Sequence, residues 1–159
     1  MLTAALNQDC MVASTSGRIR PRKALAQHFL VDSHILSRIV TAAQLAPEDV
    51  VVEIGPGLGS LTRFLVSRVA RVVAVELDAT LAASLPQRLG HPSNLTAVAA
   101  DARTVSIAAL VGEGAAYKVV ANLPYYAANP IVRRFLEAEP KPTLLVVMVQ
   151  REVAHSMTA

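Results

Sequence analysis

The sequence predicts a doubly wound α/β fold, in which helices cover both faces of a parallel sheet. Two observations support this prediction: short apolar runs alternate with helical segments along the chain, and most runs are apolar at consecutive positions. A strand that is apolar on both sides must be covered on both sides, and helical crossovers between parallel strands provide that cover. The 159 residues are enough for one such domain.

The predicted elements alternate in chain order. The first helix has apolar residues at helical spacing after two candidate caps, Asp32 and Ser33, and Pro47 ends the segment. The first strand is a β-branched run that stops at Gly55, and the later strands are similar runs of small aliphatic residues. We predict helices over residues 35–43, 58–69, 77–89, 106–111, 130–137 and 151–157, and strands over residues 50–54, 72–75, 95–99, 117–121 and 143–149.

Composition excludes several classes of protein. With 53% hydrophobic and 17% charged residues, the chain is apolar enough to fold. Its longest aliphatic run, residues 144–149, is far shorter than the roughly 18 residues of a membrane span. The single cysteine, Cys10, has no partner for a disulfide or a zinc cluster, and residues 1–12 lack the features of a secretory signal. We therefore expect a soluble, cytoplasmic protein without a bound metal.

The net charge lies at the start of the chain. Residues 1–27 carry four basic groups and one acidic group, giving +3, whereas residues 28–159 carry eleven of each. We predict a flexible basic leader over residues 1–26 and a folded domain over residues 27–159. The run Gly-Arg-Ile-Arg-Pro-Arg-Lys in the leader would attract a phosphate backbone, although a solvated tail without a partner explains it equally well.

A glycine-rich turn follows the first predicted strand, at the sheet edge where open α/β proteins bind ligands. Glycines at positions 55, 57 and 59 allow a sharp turn and a close approach of a ligand to the backbone. The spacing departs from the G-x-G-x-x-G fingerprint of nicotinamide cofactors, since position 60 is Ser. A tight turn that binds nothing is the alternative.

Acidic residues follow the next two strands. Glu76, with Leu77 after it, lies where a carboxylate can accept hydrogen bonds from both hydroxyls of a ribose. Asp101, with Ala102 after it, can accept a hydrogen bond from an adenine amine. Either acid could instead cap the helix that follows it.

The most specific signal follows the fourth strand, where the sequence reads Asn122, Leu123, Pro124 and Tyr125. An adenine amine is a poor nucleophile because its lone pair is delocalised into the ring. The side-chain oxygen of Asn122 and a backbone carbonyl at Leu123 or Pro124 can hold such an amine, with its lone pair directed at a methyl donor. Pro124 stiffens the turn, and Tyr125 can stack on a base that lies outside a duplex. A proline turn with surface tyrosines is the alternative.

Six motifs, taken together and in order, resemble those of the ribosomal RNA adenine dimethyltransferase family. They are residues 27–30 (QHFL), 53–59 (EIGPGLG), 75–78 (VELD), 101–102 (DA), 122–125 (NLPY) and 150–154 (QREVA). Within the family, the chain is most similar to the bacterial enzymes of small-subunit (16S) rRNA. These enzymes dimethylate two adjacent adenosines near the 3′ end of that RNA with S-adenosylmethionine.

The resemblance implies a Rossmann-like class I methyltransferase fold and a set of site residues. It implies that Gly55 approaches the methionine part of S-adenosylmethionine, that Glu76 binds the ribose and that Asp101 binds the adenine. The residues implied to bind the cofactor are His28, Leu30, Gly55, Gly57, Glu76, Leu77, Asp101, Ala102 and Asn122. Those implied to act in catalysis are Asn122, Leu123, Pro124 and Tyr125.

The resemblance also implies a longer protein. Family members continue past the position of Ala159 into two further strands and a small helical domain that docks on RNA. We therefore expect a sheet that is incomplete at its C-terminal end, and impaired or absent catalysis by residues 1–159 alone. The expected partner is the small ribosomal subunit precursor, and we expect a monomer. The alternatives are a large-subunit rRNA adenine methyltransferase that confers macrolide resistance, a cofactor- and RNA-binding fragment without turnover, and a nicotinamide-dependent dehydrogenase fragment.

Overall fold

The computed structural model of the protein describes residues 2–6 and 33–158. The strands are β1 (Leu2–Leu6), β2 (Val50–Ile54), β3 (Arg71–Glu76), β4 (Leu95–Ala99), β5 (Lys118–Asn122) and β6 (Leu144–Val149). The helices are α1 (Ser33–Ala42), α2 (Ser60–Val66), α3 (Ala79–Arg88), α4 (Ile107–Val111), α5 (Ala128–Glu137) and α6 (Arg151–Thr158). Every helix and strand predicted from residue 35 onward is therefore confirmed, with ends that shift by a few residues.

The six strands form one parallel sheet in the order β1-β6-β5-β2-β3-β4. The chain runs outward from β2 through β3 to β4, returns to β5 on the other side of β2, and continues outward to β6. The direction of winding thus reverses between β2 and β5, which are paired with Ile54 opposite Ala121. A crevice opens at the carboxyl ends of the strands at such a reversal, and it is where doubly wound sheets bind ligands.

Two apolar clusters cover the two faces of the sheet. Val51 of β2 packs in one cluster with Leu36 of α1 and Leu65 of α2. Val52 points to the opposite face and packs in the other cluster with residues of α4 and α5 such as Leu110. Successive residues of one strand are thus buried on both faces, as the consecutive apolar runs predict. The predicted doubly wound fold is confirmed.

The first strand lies within the segment predicted as a leader. Leu2–Leu6 form β1 and pair in parallel with β6, Leu2 opposite Leu145. An uncovered edge strand offers a row of unpaired backbone N–H and C=O groups, and the uncharged, proline-free segment LTAAL can pair with it. The basic part of the leader, residues 18–23, lies outside the described residues.

Within the described part of the chain, no helix is long and apolar enough to cross a membrane.

Candidate active site

A cavity lies at the carboxyl ends of β2, β3, β4 and β5, where the winding reverses. The residues that line it come from the last positions of these strands, from the loops that follow them and from the start of α5: Ile54, Gly55, Gly57, Val75, Glu76, Leu77, Ala100, Asp101, Ala102, Arg103, Asn122, Leu123, Pro124, Tyr126, Ala127 and Ile131. The fold thus brings together four loops that are far apart in sequence.

The glycine turn adopts a backbone conformation that side chains disfavour. Gly55, Gly57 and Gly59 have φ angles of 72°, 56° and 89°, all in the left-handed region. The Gly55 N–H donates to the Val75 carbonyl at 2.9 Å, which extends the pairing of β2 with β3 into the turn. A Cβ atom at Gly55 would lie 3.3 Å from the backbone oxygen of Asn122. Glycine therefore allows the turn after β2 to touch the turn after β5.

Glu76 connects the end of β3 to the glycine turn. Its Oε2 accepts a hydrogen bond from the Gly57 N–H at 3.1 Å, and its Oε1 accepts one from the Asp78 N–H at 3.0 Å. The residue is 3% exposed. The N-cap of α3 is Asp78, whose Oδ1 accepts hydrogen bonds from the Thr80 and Leu81 N–H groups. Because Asp78 holds the cap position, the alternative of a cap does not account for Glu76.

Asp101 forms an ion pair with its neighbour Arg103. The Nη2 of Arg103 lies 2.6 Å from Oδ2 of Asp101, and the side chains are 50% and 27% exposed. The Arg103 guanidinium beside Asp101 holds the pKa of that carboxyl below its usual value, chiefly through the side-chain hydrogen bonds. Asp101 is therefore an ionised acceptor at neutral pH.

Asn122 ends β5 and begins the turn into α5. The Leu123 N–H donates to the Met148 carbonyl at 3.1 Å, and the Ala127 N–H donates to the Pro124 carbonyl at 3.0 Å, so both sides of the turn are fixed. Tyr125 is 63% exposed and Tyr126 is 48% exposed. The predicted catalytic residues Asn122, Leu123 and Pro124 line the cavity, and so does Tyr126, whereas Tyr125 is not among the lining residues.

The cavity thus contains nine of the predicted site residues: Gly55, Gly57, Glu76, Leu77, Asp101, Ala102, Asn122, Leu123 and Pro124. His28 and Leu30 lie outside the described residues. The sequence prediction missed Arg103 and Tyr126. The spacing of Arg103 from Asp101 was a visible signal, since an arginine two residues from an acid in a loop can turn back on it.

A second acidic residue, Glu53, is buried two residues before the first glycine of the turn. Glu53 of β2 is 1% exposed, and its Oε2 has no hydrogen-bond partner among the described residues. Burial raises the pKa of Glu53 to about 8, and the nearby Glu76 carboxylate acts in the same direction. The nearby Thr62 hydroxyl acts in the opposite direction and lowers the pKa of Glu53, although its oxygen makes no hydrogen bond of good geometry in the described part of the chain. Glu53 is therefore mostly protonated at neutral pH.

The strand order, the glycine turn and the acidic residue at the end of the next strand define a Rossmann-like protein of the class I methyltransferase type. Solved structures of two methyltransferases share the fold. The 23S rRNA methyltransferase ErmE matches with a TM-score of 0.68 and 34% identity, over 80% of this chain and 50% of that one. A dimethyladenosine transferase from Plasmodium falciparum matches with a TM-score of 0.70 and 28% identity, over 83% of this chain and 46% of that one.

The chain belongs to the ribosomal RNA adenine dimethylase family, whose model matches residues 18–159. A ribosomal RNA small subunit methyltransferase A from Dehalococcoides mccartyi is 48% identical over 141 residues, which are 89% of this chain and 48% of the relative. The resemblance inferred from the six motifs is confirmed. The chain spans about half the length of the curated relatives it matches.

Proposed function

We propose that the protein transfers methyl groups from S-adenosylmethionine to the exocyclic amines of two adjacent adenosines near the 3′ end of 16S rRNA. The observation that carries this proposal is the contact between two turns. The place of a Cβ at Gly55 is 3.3 Å from the Asn122 backbone oxygen, so a ligand on the glycine turn and a base held by the Asn122 turn would share one cavity.

The residues at the cavity fit S-adenosylmethionine. The glycine turn leaves room for the methionine part beside the backbone. Glu76, the last residue of β3, offers carboxylate oxygens that can accept hydrogen bonds from a ribose diol. Exposed Leu77 offers an apolar surface for the adenine ring, and Asp101 offers an acceptor for its amine. When bound, S-adenosylmethionine supplies an electrophilic methyl group.

The turn after β5 orients the target amine in this proposal. The Asn122 side-chain oxygen and the carbonyl of Leu123 or Pro124 would accept the two N–H groups, which leaves the nitrogen lone pair directed toward the methyl group. Tyr126, which lines the cavity, and the more exposed Tyr125 would stack on the flipped base. Such catalysis consists of positioning and alignment, and it requires no metal and no covalent nucleophile.

Small-subunit RNA is the substrate that the similarities favour. The relative named for the small subunit is 48% identical to this chain, and the solved enzyme named for 23S rRNA is 34% identical. We therefore propose the small-subunit precursor as the partner, and a monomer in the cytoplasm as the working form. A nicotinamide-dependent dehydrogenase is disfavoured because Asn122 and Pro124 at the cavity have no role in hydride transfer.

Calorimetric titration tests the cofactor, and methyl incorporation tests the substrate. We expect the chain to bind S-adenosylmethionine and not NAD. With labelled cofactor, we expect residues 1–159 to incorporate less than a longer family member, which is the positive control, and we expect what is incorporated to go to unmethylated small-subunit particles and not to large-subunit RNA. Failure to bind S-adenosylmethionine, or incorporation into large-subunit RNA alone, would contradict the proposal. Cofactor binding without any incorporation would favour a cofactor- and RNA-binding chain without turnover.

A further inference from the structure

The carboxylate of Asp101 is already occupied in the structure. The Arg103 Nε donates to Oδ1 at 3.0 Å and to Oδ2 at 3.1 Å, and Nη2 donates to Oδ2 at 2.6 Å. The backbone N–H of Arg103 adds a hydrogen bond to Oδ1 at 2.9 Å. A carboxylate offers about four acceptor positions, so one residue takes most of them.

Both partners of this ion pair line the cavity. The two side chains are not equivalent, since Arg103 is 50% exposed and Asp101 is 27% exposed. The guanidinium therefore lies on the solvent side of the pair, where it can turn away, while the carboxylate stays with the cavity wall. A ligand that donates a hydrogen bond to Asp101 from inside the cavity would meet donors of Arg103 at the same oxygens.

We propose that Arg103 is a latch at the adenine end of the cavity, whose guanidinium competes with the adenine amine of the cofactor for the Asp101 carboxylate. This inference rests on the proposed function, since it requires a ligand that carries such an amine. To admit the amine, the guanidinium gives up at least one of its hydrogen bonds to Asp101 and moves toward solvent. Arg103 is thus a specificity-determining residue, because only a ligand that has a hydrogen-bond donor in the place of the adenine amine must displace the guanidinium from Asp101.

The size of the effect follows from the exposure of the pair. An ion pair between solvent-exposed side chains changes an equilibrium constant by a factor of about two to five, because water and salt screen it. Removal of the guanidinium should therefore tighten the binding of an adenine-containing ligand by about that factor. The gain should shrink as ionic strength rises, because salt already weakens the latch of the unmodified protein.

The test compares two ligands that differ at a single group. S-adenosylhomocysteine carries the adenine amine, and its purine riboside analogue has a hydrogen atom in place of the amine, with the ring nitrogens unchanged. We expect Arg103→Leu to bind S-adenosylhomocysteine about two to five times more tightly than the unmodified chain, and to bind the purine riboside analogue no more tightly. Arg103→Lys keeps the charge without the planar fork and should give an intermediate affinity for S-adenosylhomocysteine.

Arg133→Leu is the matched control, since it removes an exposed arginine that pairs with Glu137 on α5. It should change the affinity for neither ligand. Weaker or unchanged binding of S-adenosylhomocysteine by Arg103→Leu would overturn the latch, and so would equal tightening of both ligands. If the unmodified chain binds S-adenosylmethionine and Arg103→Leu shows no gain, the latch alone fails. If the unmodified chain binds neither S-adenosylmethionine nor S-adenosylhomocysteine, the proposed function fails with it.

Discussion

The Oε2 atom of Glu76 lies 3.1 Å from the Gly57 backbone nitrogen and accepts its hydrogen bond. One side chain at the end of β3 thereby fixes the turn that follows β2, while its other oxygen accepts from the Asp78 N–H. The carboxylate thus shapes the cavity that it lines, and in the proposed function the same carboxylate accepts hydrogen bonds from the ribose hydroxyls. Shape and ligand binding depend on the same group.

Replacement of Glu76 by Gln should weaken cofactor binding. The amide has one acceptor oxygen in place of two and brings an NH₂ group against a backbone donor. Loss of hydrogen bonds to a charged group costs about 1.5–3 kcal/mol, so we expect the Kd for S-adenosylmethionine to rise by about 10- to 100-fold. Calorimetry measures this, with Glu113→Gln on an exposed loop as the control. An unchanged Kd in a folded Glu76→Gln variant would remove Glu76 from the site.

Replacement of Asn122 by Ala should impair methyl transfer far more than cofactor binding. Loss of one preorganised polar contact to a reacting group typically lowers turnover by about 10²- to 10³-fold. We expect that loss in methyl incorporation at saturating S-adenosylmethionine, with a Kd for the cofactor within about threefold of the unmodified value. Asn129→Ala, at an exposed position of α5, is the matched control. Equal losses of binding and transfer in Asn122→Ala, matched by equal losses in Glu76→Gln, would contradict both assignments.

Alanine substitutions at Gly55 and Gly90 distinguish the effect of backbone strain from the effect of the contact between the two turns of the cavity. Gly55 and Gly90 have φ angles of 72° and 77°, so alanine at either position is strained by about 1 kcal/mol or more. At Gly90 an added Cβ meets nothing within 4 Å, whereas at Gly55 it lies 3.3 Å from the Asn122 oxygen. We expect both variants to lose stability in urea unfolding, and Gly55→Ala alone to lose cofactor affinity. Similar affinities in the two variants would show that the contact between the turns is unimportant for binding.

The sequence predicts the sheet and most of the site because both depend on local patterns. The strands are apolar at consecutive positions, and the polar residues Glu76, Asp101 and Asn122 lie at or just beyond their carboxyl ends, so the parallel topology brings them to one edge. Three features depend on the folded geometry. β1 is paired through its backbone, which leaves little sequence signal. Tyr126 rather than Tyr125 lines the cavity, and which tyrosine does so depends on the conformation of the turn that leads into α5. The hydrogen bonds from Arg103 to Asp101 depend on the rotamer of the Arg103 side chain.

The buried carboxyl of Glu53 should make the stability of the fold depend on pH. Burial raises the pKa of Glu53 to about 8 in the folded protein, from an ordinary value of 4.5. Between these two pH values the folded state holds a proton that the unfolded state has released. The free energy of unfolding therefore falls as pH rises from about 4.5 to about 8, by at most about 1.4 kcal/mol per pH unit from this group. Below pH 4.5 the contribution is fully present.

Replacement of Glu53 by Gln removes the titration and keeps the shape of the side chain. We expect urea unfolding of Glu53→Gln to depend less on pH between about 5 and 8 than that of the unmodified chain, so that the variant gains relative stability toward pH 8. Glu48→Gln, at an exposed position before β2, should leave the slope unchanged. Because the comparison is between slopes, a constant cost of placing the amide beside Thr62 does not affect it. Parallel pH profiles for Glu53→Gln and the unmodified chain would mean that Glu53 is ionised in the folded protein, with a partner for its second oxygen.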